Sequence, residues 1–197
     1  MRDEQCTVAA AALVIGAILG MAGSFAPTAE LRGLFWGVDG TALVVGCALL
    51  VIHHLRHGDA TLAAGFLVFL VGETLIVSAS SMGLTASAPT LAGGAALWAA
   101  ALALNSTSAF MPRPVRVIGV IASVLLAITA ARLFSGASLT PLSRPLPFFA
   151  FPFLAASLVG WAWAHTRSVA GPSANEEALP VLLGVVPSAS EGPQSSR

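Results

Sequence analysis

Glu73 stands in the run Leu70-Val71-Gly72-Glu73-Thr74-Leu75, a carboxylate with apolar residues on either side. Inside a membrane-spanning helix a charged side chain costs roughly 2.5–3.5 kcal/mol on insertion scales, so it must face the bundle interior, be paired or carry a proton. Val77 and Ser80-Ser81 continue the Glu73 face toward one end of its run. Arg132, near the end of a later apolar run, and Asp39, at the start of an earlier one, fall on the same side. These three are the candidate residues of a transport pathway. In one reading Glu73 lines a route for a small solute or proton and Arg132 tunes its charge. In the other, Glu73 and Arg132 form an internal pair that fixes helix register, while Asp39 caps a helix N-terminus.

A second group is His53-His54-Leu55-Arg56-His57-Gly58-Asp59. His53 and His57 are four residues apart, so a helix places them on one face, a spacing that can bind a metal. Asp59 offers a further ligand, and His165 falls on the same side. The segment also closes a helix, where histidines complement the dipole and the lipid interface; on that reading no metal is bound. A pH-sensing role is the third alternative.

The elements that must position these residues are apolar runs. The chain has 197 residues, 56% hydrophobic and only 9% charged, against about 25% charged in soluble domains. Six runs are long enough to cross a bilayer as helices: Thr7–Phe25, Val38–Leu55, Ala60–Ser80, Pro89–Leu104, Val115–Phe134 and Leu146–His165. They lack the period-two polarity of barrel strands. Stop signals separate them at Gly58-Asp59, Met82-Gly83, Asn105-Ser106 and Pro112-Arg113-Pro114. The expected fold is an all-α membrane protein, a bundle of six transmembrane helices over residues 1–169 with short loops. Residues 170–197, rich in Gly, Pro, Ser and Glu, read as a disordered cytoplasmic tail. The first run is expected to remain as a helix, because Asp3 and Glu4 make a poor signal-peptide n-region and Pro27 follows the Ser24-Phe25-Ala26 sequence directly.

All nine cations are arginines, and they balance nine acids. That leaves no basic field for nucleic acid. Arg2, Arg56, Arg113, Arg116 and Arg167 fall on one side of a six-span layout, against Arg32 and Arg144, with Arg132 at the membrane edge. The bias favours an inner (plasma) membrane protein with both termini in the cytoplasm. Cys6 and Cys47 are expected as free thiols at different depths.

Small residues at four-residue spacing allow helices to approach closely in lipid. Gly16 and Gly20 carry that signal in the first run, Ala95, Ala99 and Ala103 in the fourth, and Ala156, Gly160 and Ala164 in the sixth. They suit a tight bundle, a homo-oligomer or a membrane-protein partner. Trp98 sits near mid-membrane, where its N–H needs a partner.

No hydrolase, zinc-protease or phosphate-binding motif is present, so neither enzyme activity nor a cofactor is expected. Asp39-Gly40-Thr41-Ala42 opens like the CDP-alcohol phosphotransferase motif, but Leu43 stands where its arginine would follow. With Gly58-Asp59-Ala60-Thr61 before the third run, the layout resembles the acetate-uptake transporters, and its size and span count also resemble the urea/amide channels. The acetate family's Asn-Pro-Ala signature is replaced by Phe25-Ala26-Pro27-Thr28. The resemblance implies a pathway for a small solute. The expected function is a small-solute or proton channel or transporter with Glu73 in its pathway; the alternative is a non-transporting subunit that anchors or helps assemble a partner protein.

Overall fold

The computed structural model describes residues 2–80, 84–137 and 149–169, apart from the side chains of 2, 3, 80, 84–86, 168 and 169. Arg144 and the expected tail, 170–197, lie outside the described residues. Those described form six helices and no strand: α1 Arg2–Ser24, α2 Ala29–Arg56, α3 Ala60–Ser80, α4 Leu84–Thr107, α5 Arg113–Phe134 and α6 Phe151–Val169. The first five are long and apolar enough to cross a membrane; α6, at 19 residues, is not among those five.

Local chemistry sets the ends. Thr28 caps α2, its hydroxyl accepting from Leu31 N at 3.2 Å. Gly58 takes a left-handed φ of 76° to end α2, and Asp59 Oδ1 then caps α3 by accepting from Leu62 N at 3.0 Å. Pro112 and Pro114 open α5, where a missing N–H costs nothing. Gly136, at φ 82°, follows its end.

Several helices exceed the apolar runs that predict them. α2 starts at Ala29, nine residues before Val38, because Glu30, Arg32, Gly33 and Gly37 interrupt hydrophobicity without interrupting the helix. There Trp36 Nε1 donates to Gly20 O at 3.4 Å and Arg32 to Ala26 O at 3.1 Å. At 28 residues α2 is about 42 Å long, more than the hydrocarbon core needs. α4 runs through the expected stop at Asn105-Ser106 to Thr107, with both residues buried against neighbouring helices. α6 begins at Phe151, preceded by a wider π-type turn at 149–150.

Each helix packs on its neighbours in the chain, and α6 returns to α1, closing a ring. Leu13, Leu50, Phe66, Phe69, Leu102 and Trp161 are fully buried within it. Glycines bring the walls together: a Cβ at Gly46 of α2 would lie 3.3 Å from Ala9 O of α1, and one at Gly94 of α4 would lie 3.0 Å from Gly72 O of α3. Large apolar side chains point outward, as in the stripe Val117, Val120, Val124 and Ile128 on α5. An apolar exterior over an apolar core is the pattern lipid demands and water penalises.

Candidate functional site

Two helices bring carboxylates together inside this ring. Asp39 lies ten residues into α2, roughly 15 Å from its start, and therefore is not the helix cap that its place in the apolar run suggested; Thr28 is. Glu73 lies on α3, also away from either end. Glycines make the space for both. A Cβ at Gly20 of α1 would lie 2.8 Å from Asp39 Oδ2, and one at Gly16 would lie 3.1 Å from Oδ1. A Cβ at Gly40 would lie 3.1 Å from Glu73 Oε1. The residue beside Asp39 in sequence is thus the surface on which Glu73 rests.

Asp39 is the ionisable group that faces Glu73, and Trp98 of α4 faces it from the third side. Glu73 is 2% exposed, and among the described residues its Oε2 has no hydrogen-bond partner; the same holds for Asp39 Oδ1 and Trp98 Nε1. The indole therefore points its donor at the carboxyl region without closing a hydrogen bond. Trp98 is held there by stacking on Phe69, with centroids 5.6 Å apart and planes at 13°. Below it Phe69, Trp161 and Phe66 continue an aromatic column, with successive centroids 5.5 and 5.1 Å apart. Cys47 of α2, fully buried, lies near Glu73 on the same side.

Arg132 is placed elsewhere. It is exposed on the last turn of α5, whose neighbours are α4 and α6, whereas Glu73 is faced from α2 and α4. The three pathway candidates thus divide: Asp39 and Glu73 come together, and Arg132 stays apart from them.

The histidines gather at the opposite end of α2. His57 Nδ1 donates to His53 O at 2.7 Å, and Cys6 Sγ of α1 lies 3.3 Å from His53 Nδ1. The His53 and His57 rings lie 4.3 Å apart, tilted at 36°, and Asp59 is engaged as a cap. Among the described residues no three His, Cys, Asp or Glu side chains are placed to hold a metal ion. The sequence reading missed a different pairing, His54 with His165, whose Nε2 atoms are 2.9 Å apart. Only the shared side of the membrane hinted at it; 111 residues of chain separate the two.

Comparison of the chain with known protein families, with curated proteins and with solved structures gives no match.

Proposed function

We propose that this chain is a six-span protein of the plasma membrane that provides a pathway for protons, with Glu73 as the group that takes and releases the proton and Asp39 as its partner. The reading is carried by one observation: two carboxylates on adjacent helices act on one another inside an apolar bundle, and among the described residues neither Glu73 Oε2 nor Asp39 Oδ1 has a hydrogen-bond partner. Two uncompensated negative charges that act on one another in a poorly solvated site are too costly to persist, so the pair needs a positive counterpart. A proton suits the geometry better than a metal cation. The surrounding helices keep their carbonyls in their own hydrogen bonds, and Trp98 presents a donor rather than a further oxygen ligand.

Several features support the rest of the reading. Taken as straight, α6 is about 29 Å long, close to the hydrocarbon thickness, and it packs between α5 and α1 as a sixth span would. Arg56, Arg113, Arg116 and Arg167 lie at one end of the ring, favouring that end as cytoplasmic.

Purified protein in liposomes loaded with a pH-sensitive dye tests the function. A potassium gradient with valinomycin should drive dye acidification in wild type, and Glu73→Gln should abolish it while leaving the helical circular-dichroism spectrum unchanged. Wild-type vesicles no faster than empty ones would overturn the proposal and leave the accessory-subunit reading. So would a fully active Glu73→Gln variant.

A further inference from the structure

We infer that His54 and His165 form a second proton-binding site, at the end of the bundle opposite the carboxylates, built to take up one proton and no more. The inference does not rest on the role proposed for Glu73. It begins from the tautomers that the hydrogen bonds require. His165 Nδ1 lies 2.6 Å from Trp161 O, a carbonyl that can only accept, so Nδ1 carries the hydrogen. In the neutral ring Nε2 is then a lone pair. That lone pair faces His54 Nε2 at 2.9 Å, so His54 must supply the hydrogen between them. The two rings share one bridging hydrogen, at 3% and 0% exposure.

An added proton has one vacant nitrogen to bind, His54 Nδ1. Once it is there, the bridging hydrogen can rest on either Nε2, and a single positive charge is distributed over two rings with the bridge intact. A second added proton would put N–H against N–H across 2.9 Å and break it. The surroundings suit one cation. His54 stacks on Phe66 of α3, with centroids 5.6 Å apart at 9°, and Phe110 of the α4–α5 turn lies 5.5 and 5.0 Å from the two rings. Aromatic faces attract a cation at such distances. The ionisable groups acting on the pair include His53 and His57 of α2 and Asp59 at the head of α3, and Cys6 Sγ of α1 lies 3.3 Å from His53 Nδ1. Fifteen residues of α2, about 22 Å, separate His54 from Asp39, so the bundle carries a protonatable pair toward each face.

Nitrogen NMR of the full chain in lipid nanodiscs, labelled with 15N-histidine, tests this directly. At neutral pH one ring should be the Nδ1–H tautomer and another the Nε2–H tautomer, with a scalar coupling between their Nε2 atoms. On acidification these two rings should shift together through one transition. His53→Gln and His57→Gln remove the other α2 signals and so assign the pair; because His53 packs edge-on against His54, with centroids 5.2 Å apart, the midpoint itself is read in wild type. In His165→Gln, whose amide oxygen can still accept from His54, the nitrogen–nitrogen coupling should vanish and the His54 midpoint should move. Separate, complete transitions for the two rings, or no coupling between them in wild type, would overturn the inference; the wild-type spectrum decides even where the variant fails to fold.

Discussion

Glu73 and Asp39 are both carboxylates, yet they stand in different surroundings. Glu73 is enclosed by α2, α3 and α4, while half-buried Asp39 rests against the bare backbone of Gly16 and Gly20. Trp98 faces Glu73 with a donor that is unpaired in this arrangement. When the carboxyl is charged, that N–H is the group available to meet it. Trp98→Phe tests the point, because phenylalanine retains a ring to stack on Phe69 and removes only the donor. Losing one net hydrogen bond of about 1 kcal/mol should slow proton flux roughly fivefold. Stability in detergent should change by no more than about the same amount. Unchanged flux would assign Trp98 to packing alone. Asp39→Asn keeps the shape of its side chain and removes the second charge; flux should fall less than in Glu73→Gln, because the proposed proton-carrying group itself remains. Equal loss in both variants would mean that the two carboxyls carry the proton jointly.

At the scale of helices, glycine positions sort into contacts and open surface, and the two kinds predict opposite outcomes. A Cβ at Gly72 would lie 3.1 Å from Gly94 O, 3.1 Å from Leu97 Cβ and 2.9 Å from Trp98 Cδ1. The backbone atom cannot swing away, so Gly72→Ala should cost about 1–3 kcal/mol as overpacking and displace Trp98 from Glu73. Gly33 of α2 has nothing within 4 Å, so Gly33→Ala should stabilise its helix by about 0.5–1 kcal/mol. Thermal unfolding of both variants in one detergent checks the difference in sign. The sequence showed part of this. Long apolar runs revealed all six helices, and the Gly16–Gly20 spacing marked a real contact with α2. The fold divides the alanine repeat of α4: Ala95 and Ala99 are buried, whereas Ala103 faces out. Helix starts were less legible, because apolar runs record where lipid lies and not where hydrogen bonding begins. Asp39 looked like a cap for that reason. Its partner, and the pairing of His54 with His165, depend on which helices become neighbours, which one sequence does not encode in any local pattern.

The six described helices form a closed ring in which neighbours in sequence are neighbours in space, so they must alternate in direction. That alternation ties local facts together. The turn at Gly58, the α4–α5 turn and the α6 end with His165 share one end; the α1–α2 turn with Glu30 and Arg32 lies at the other. Arg56, Arg113, Arg116 and Arg167 lie at the first of these ends, which the proposed orientation sets in the cytoplasm. Single cysteines read this out, because the native thiols make a silent background: Cys6 is 2% exposed and Cys47 fully buried. Glu30→Cys, exposed in the first turn of α2, should react with a membrane-impermeant maleimide on intact cells. Ala109→Cys, exposed in the α4–α5 turn, should react only after permeabilisation. The reverse pattern would invert the orientation and place the carboxylates nearer the cytoplasm. Labelling of both from the outside would contradict the alternation itself, since α2 and α4 could not then carry these positions to opposite faces. The expected pattern would set the carboxylate pair toward the outside and the histidine pair toward the cytoplasm, with the aromatic column of Trp98, Phe69, Trp161 and Phe66 between them.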